Sequence, residues 1–313
     1  MKTIFISEGD PTSINYELLG SSFPLLESLG QHHRIYLIRG PHNQTLPKAK
    51  EIGKPIGEPG FYSIPWGRGK PKSYVLGKPS KSSGKMAYDS LLAAIDFQKN
   101  FGGDLITLPL SKEWVQKAGV KGFRGHTETL AEAYKRPTFM MMSGDKLNVI
   151  PLTTHVPLKD VVKELKNFDW KELKNAILRS PYLKEPTIGY LGLNPHAGEG
   201  GKIGTEETTI LKTGVGVLRK AKLTVEGPLS ADSAFLPGAK AYDLYLAGYH
   251  DQGLIPFKLL EGKKGVNITL GLDFTRVSPD HGTAFGIAGK GCADPTGLIS
   301  CLERLVETKT KPV

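Results

Sequence analysis

Short runs rich in β-branched and aromatic residues alternate with longer runs of helical composition along most of the chain. This alternation constrains the fold more than any other feature. Strands are expected at 3–7, 34–39, 104–108, 137–142, 147–154, 187–192, 242–248 and 266–271. Helices are expected at 86–99, 127–135, 159–178, 205–221, 281–289 and 295–308. Strands that alternate with helices imply an α/β fold with largely parallel sheets. A chain of 313 residues exceeds what one core usually holds, so two domains are expected. In open α/β sheets ligands lie outside the carboxyl ends of the strands, so the residues that follow each strand are the informative ones.

Three strands are followed by a histidine. "TTHVPL" places His155 after one, "GLNPHAGEGG" places His196 after another, and "AGYHDQG" places His250 after a third. Neutral imidazoles ligate zinc and similar divalent ions, and three protein ligands with an open position describe a catalytic metal site. Each histidine alone is equally an ordinary loop residue; the repeated context makes metal binding worth pursuing. Asp251, beside His250, can orient a ligand ring, or can simply belong to a polar turn together with Gln252. Asp232 in "GPLSADSAF" can present a carboxylate to metal, substrate or water, or cap a helix. In "RGHTETLAEAY" the residues His126 and Thr127 open a helix, where free N–H groups attract anions. Lys258, Asn267 and Arg276 offer an ammonium, an amide and a guanidinium suited to phosphate or carboxylate. Spread along the sequence, they also read as solvated surface.

Charge adds a further observation. The net charge of +10 is partly local: residues 48–85 hold nine Lys or Arg against two Glu, among many Pro, Gly and Ser. This stretch reads as a poorly regular surface excursion from the first domain rather than a nucleic-acid face, because no regular helix gathers its charges. A basic surface also suits a phosphorylated or carboxylated substrate. No apolar run approaches the roughly 20 residues that span a bilayer. The start, "MKTIFISEGD", lacks the apolar stretch of a signal peptide, and there are two cysteines, Cys292 and Cys301. A cytoplasmic protein without disulfides or membrane contact is expected. No GxGxxG follows an early strand, so the standard dinucleotide fingerprint is absent.

Several segments together resemble the 4-hydroxythreonine-4-phosphate dehydrogenase family of pyridoxal phosphate biosynthesis. They are "GHTETLA", "TTHVPL", "GLNPHAGEGGKIGTEE", "GPLSADSAF", "YHDQGL", "GVNITLGLDFTR" and "DHGTAFGIAGKGCAD", in the family's order from Gly125 to Asp294. "LPLSK" at 108–112 is similar to the family's proline–lysine segment. The resemblance implies two α/β/α domains with a cleft between them, like isopropylmalate dehydrogenase. The first domain would span 1–125 plus about 285–313, and the second 126–284 with most of the metal and substrate motifs. It implies a homodimer with the active site at the subunit interface, a divalent metal (zinc, cobalt, nickel or magnesium) and NAD or NADP.

Carried onto this sequence, the metal ligands fall on His155, His196 and His250. Substrate contacts fall on His126, Thr127, Lys258, Asn267 and Arg276, and Asp232 and Lys258 fall on catalytic positions. The implied reaction oxidises 4-phosphooxy-L-threonine to a β-keto acid that loses CO2. Family relatives act similarly on phosphothreonate or phosphoerythronate. No residue is assigned to the nicotinamide cofactor. In "GDPTSINYEL" Thr12, Ser13 and Asn15 stand where the family has small residues and glycines, and would obstruct a close approach of ligand to that turn.

Overall fold

A computed structural model describes residues 1–44, 46, 48–67 and 70–306. In chain order its elements begin with β1 (Thr3–Ser7), α1 (Asn15–Ser21), α2 (Phe23–Gly30), β2 (Arg34–Arg39), β3 (Lys50–Glu51) and β4 (Gly60–Pro65). There follow α3 (Lys81–Phe101), β5 (Asp104–Thr107), α4 (Lys112–Lys117), α5 (His126–Tyr134), β6 (Phe139–Ser143) and β7 (Asn148–Pro151). Next come α6 (Val161–Lys166), α7 (Trp170–Arg179), β8 (Ile188–Leu191), α8 (Lys212–Lys220), β9 (Val225–Leu229) and β10 (Leu244–Ala247). The last are α9 (His250–Glu261), β11 (Val266–Leu270), β12 (Arg276–Pro279) and α10 (Thr296–Val306).

These elements form two compact units. The first is Met1–Lys135 with the return segment that begins at Phe274, and the second is Arg136–Asp273. The division therefore falls about ten residues later than the expected 125/126 boundary, and the return starts earlier than 285. Local contacts explain the difference. The Tyr134 hydroxyl at the end of α5 donates to Gln98 of α3, and its ring packs 5.1 Å from Phe274. β12 pairs with β5, which carries Arg276 into the first unit.

The first unit's strands run in the order β3-β4-β2-β1-β5-β12, all pairs parallel. Parallel strands are covered on both faces, and their sequences become continuously apolar. "TIFIS" and "RIYLIR" follow that rule, with Ile4, Phe5, Ile6, Ile35, Leu37 and Ile38 fully buried. Phe5, Tyr36 and Tyr62 are register partners across β1, β2 and β4, and their rings stack at 5.3 and 5.7 Å. Phe97 of α3 caps this ladder at 6.0 Å from Phe5.

The basic stretch at 48–85 is only in part a surface excursion. It holds β3 and β4, and β4 lies inside the sheet with Phe61, Tyr62, Ser63 and Ile64 buried. The flanking Lys, Pro and Gly hide a strand whose apolar run is only a few residues long. The same stretch starts α3, where the Ser80 hydroxyl accepts from Ser83 N and Ser83 Oγ accepts from Ser80 N, a reciprocal capping box.

The turn after β1 is filled from within. The Asn15 amide donates to the carbonyls of Glu8 and Pro109, at 2.8 and 2.9 Å. Thr12 donates both its N–H and its hydroxyl to Asp10, and Ser13 Oγ donates to the Asp10 carbonyl. Thr12, Ser13 and Asn15 are thus buried structural groups facing the protein. Beside them the buried Glu8 carboxylate accepts from the Tyr16 hydroxyl, from Gly40 N and from His42 Nε2, at 2.7, 2.6 and 2.6 Å. His42 Nδ1 accepts from Gln44 N, which makes Nε2 the protonated nitrogen.

The second unit has the order β11-β6-β7-β10-β8-β9. β11, β6 and β7 pair antiparallel, whereas β7, β10, β8 and β9 are parallel. The expected helix at 159–178 is broken into α6 and α7, because Asp169 caps α7 by accepting from Lys171 N and Glu172 N. No helix forms at 281–289; left-handed backbone at Ala284 and Gly289 makes turns there instead. α9 was hidden by Gly253 and Pro256, both helix-disfavouring residues that it contains. Among the described residues no helix is long and apolar enough to cross a membrane.

The aromatic ladder makes a stability prediction. Phe5→Ala should lower the unfolding free energy by about 3–5 kcal/mol, read from a urea titration. An exposed control such as Phe101→Ala should lose much less.

Candidate active site

The carboxyl ends of the second unit's adjacent parallel strands β7, β10 and β8 are tied by side-chain hydrogen bonds. Thr153, just past β7, donates its hydroxyl to the Gly248 carbonyl at 2.8 Å. Gly248, just past β10, donates its N–H to Gln252 Oε1 at 2.7 Å. Gln252 then donates from Nε2 to the carbonyl of Gly192, just past β8, also at 2.7 Å. One amide therefore joins two of the strand ends and a threonine joins the third. These are the strands that precede His155, His250 and His196.

His155 and His250 come together, with ring centroids 6.0 Å apart. They line a concavity of about 270 Å³ with Thr154, Val156, Tyr249 and Asp251. His250 is the first residue of α9, and its Nδ1 lies 2.7 Å from Asp251 Oδ1. An ionised carboxylate only accepts, so Nδ1 carries the proton and Nε2 keeps its lone pair.

His196 sits on a different kind of backbone. From His196 to Gly200 the φ angles are 50°, 52°, 78°, 43° and 66°, and Gly201 follows at 95°. Six consecutive left-handed residues explain why the segment is rich in glycine. The side chain of His196 is exposed there. Among the described residues no three His, Cys, Asp or Glu side chains converge on a common metal position. The single chain thus pairs His155 with His250 and holds His196 apart from a three-ligand cluster.

Asp232 lies on the exposed turn after β9. The Ser230 hydroxyl, 2.8 Å from Oδ1, keeps its carboxyl below the usual range, and the nearby His196 adds to this. Lys258 stands on α9 two turns after His250, and partial desolvation lowers its pKa. Asn267 on β11 has a buried Oδ1 without a hydrogen-bond partner.

The remaining sequence candidates belong to the first unit. Arg276 opens β12 and is 1% exposed, with Nε 3.1 Å from Thr107 Oγ1. Burial lowers its pKa to about 10, so it remains a cation at neutral pH. His126 is the first residue of α5, followed by Thr127. Burial lowers the His126 pKa well below its usual value; the neighbouring Arg276 and Lys112 cations lower it further, against a bond to the Leu108 carbonyl. Its Nε2 is buried with no hydrogen-bond partner among the described residues. His126 and Arg276 are close enough to interact, one neutral and one charged.

Two groups escaped the sequence reading. Gln252 read as part of a polar turn, though its amide is the bridge between strand ends. The other is Glu207, which is 2% exposed and accepts hydrogen bonds from the backbone leading into the His196 turn.

The fold falls in the same structural class as that of isocitrate dehydrogenase. A crystal structure of isocitrate dehydrogenase from Methylococcus capsulatus shares it at a TM-score of 0.50 and 14% identity, over 97% of this chain and 85% of that one. Within that class the chain belongs to the family of the pyridoxal phosphate biosynthetic protein PdxA, whose model matches residues 43–304. A 4-hydroxythreonine-4-phosphate dehydrogenase from Sulfurihydrogenibium sp. (strain YO3AOP1) is 38% identical, covering 99% of both chains. A crystal structure of a 4-hydroxythreonine-4-phosphate dehydrogenase from Burkholderia phymatum superposes at a TM-score of 0.80, with 32% identity over 97% of both chains. The chain is accordingly an oxidoreductase.

The state of His126 has a consequence for stability. In the unfolded chain this histidine takes up a proton below about pH 6.5, whereas in the fold it stays neutral to lower pH. The unfolded state then binds more protons, so stability is lost as pH falls below that value. His126→Asn should flatten the stability–pH slope between pH 7 and 5, by at most about 1.4 kcal/mol per pH unit. Urea midpoints across that range check it.

Proposed function

We propose that the chain oxidises 4-phosphooxy-L-threonine with NAD+ or NADP+, in the synthesis of pyridoxal phosphate. The product, 2-amino-3-oxo-4-phosphooxybutanoate, loses CO2 to give 3-amino-2-oxopropyl phosphate. The observation that carries this reading is the tied junction of strand ends that presents His155 and His250, in a chain whose relatives carry that activity along their full length.

The donor set suits a divalent metal. Two imidazoles face a shared concavity, and Asp251 leaves His250 Nε2 free to donate its lone pair. His155, His196 and His250 would hold zinc, cobalt or nickel, with magnesium less well matched to imidazole. When bound, such a metal supplies Lewis-acid polarisation of the substrate hydroxyl and of the carbonyl that replaces it. Because one chain gathers two of the three rings, we assign the working enzyme to a homodimer in which a second copy completes the site.

The protein's own groups then have distinct tasks. Asp232, held ionised by Ser230, accepts the proton released as the hydroxyl is oxidised. Lys258, with its lowered pKa, is suited to return a proton after CO2 departs. Arg276 supplies a fixed cation, and neutral His126, with Thr127, supplies hydrogen-bonding groups for the anionic ends of the substrate. Asn267 offers a buried amide oxygen to a substrate donor. These contacts orient the hydroxyl-bearing carbon for hydride transfer.

Metal-replete protein incubated with 4-phosphooxy-L-threonine should generate reduced cofactor, followed at its near-ultraviolet absorbance, and a chelator should stop the reaction. Parallel assays with phosphothreonate and phosphoerythronate, each with both nucleotides, identify the preferred pair. No reduced cofactor with any of the three would overturn the enzymatic reading. His250→Ala should abolish turnover; a variant that kept both metal and rate would remove that ligand assignment.

A further inference from the structure

We propose that Glu207 is a positioning residue for His196, holding the left-handed turn that carries this histidine so that the imidazole can ligate metal. The inference rests on the proposed ligand role of His196 and extends it to a residue outside the ligand set.

The turn is strained. His196, Ala197 and Glu199 are L residues with φ near 50°, a conformation that persists only where surroundings impose it. The backbone bonds that tie the ends of the turn to its flanks are Ala197 N to Asn194 O at 3.1 Å, Ile203 N to Gly198 O at 3.2 Å, and Lys202 N to Glu199 O at 3.4 Å. The short bonds come from one side chain. Glu207 Oε1 accepts from Leu193 N and Asn194 N, both at 2.7 Å. Glu207 Oε2 accepts from Asn194 Nδ2 at 3.1 Å, and the same amide reaches Glu206 Oε2 at 2.8 Å.

The loop lies directly on this carboxylate. A Cβ added at Gly198 would sit 2.6 Å from Glu207 Oε2. Glu207 itself opens a π-helical turn (Glu207–Leu211) that runs into α8, so the carboxylate has a rigid base. Such turns recur at functional sites. At the same end of the loop, one residue before Leu193, the carbonyl of Gly192 is held by Gln252. The chain that bears His196 is therefore clamped immediately before the turn, on one side by a buried anion and on the other by the bridge to β10.

Glu207→Gln keeps the side chain's size but replaces an acceptor oxygen by a donor facing donors. Zinc affinity, measured on the purified full-length protein by competition with a chromogenic chelator, should fall about 10- to 100-fold, the range for groups that orient metal ligands. Amide exchange at 194–203 should accelerate while exchange in β8 and β10 stays slow, a pattern general unfolding would not give. Asn194→Ala removes the amide half of the same clamp and should shift both readouts in the same direction; it decides the matter if Glu207→Gln does not fold.

His196→Ala separates the two readings. If His196→Ala loses zinc while Glu207→Gln and Asn194→Ala bind it like the parent and keep the loop protected, the positioning role is wrong and the ligand role stands. If His196→Ala binds zinc like the parent, the ligand role is wrong and the positioning role falls with it.

Discussion

Everything proposed for the second unit depends on one primary amide. Gln252 accepts from Gly248 and donates to Gly192, so a single planar group sets the spacing between the ends of β10 and β8. Sheet hydrogen bonds fix strands along their length, but beyond the last paired residue the chains are free to splay. A primary amide carries a donor and an acceptor at a fixed separation, so it can stitch two backbones without adding charge. Thr153 extends the stitch to β7 through the same glycine. The histidine-bearing loops thus leave the sheet from a braced edge.

The two units treat charge differently. In the second unit the polar groups at the strand ends are exposed or half-buried, and their pKa shifts come mainly from hydrogen bonds or mild desolvation. In the first unit Arg276 is buried and His126 half-buried, and desolvation is the largest influence on both. A buried guanidinium beside an imidazole suppresses the second cation. The pair behaves as one fixed positive charge with a neutral hydrogen-bonding neighbour.

Much of this was legible in sequence, for physical reasons. β1, β2, β5, β8, β10 and β11 are short apolar runs bounded by turns, and that pattern is local. The histidines at strand ends are local too, because the residue after a buried strand must lie at the sheet's edge. β4 was not legible: four buried residues between lysine-, proline- and glycine-rich flanks carry too little signal, and pairing with β2 is what makes them a strand. Nor was the role of Glu207. Adjacent acids before a helix suit the helix dipole equally well, and only the folded loop shows that its carboxylate faces inward onto backbone donors.

The turn after β1 carries a consequence for how this chain can change. Asn15 satisfies two carbonyls at once, one of them 94 residues away in sequence at Pro109. Thr12 and Ser13 are each spent on Asp10, and Gly9 has φ +66° with no room for a Cβ against the Pro109 carbonyl. Exchanging any one of these for a smaller residue would strand a buried partner rather than open space for a ligand. The segment is therefore epistatic.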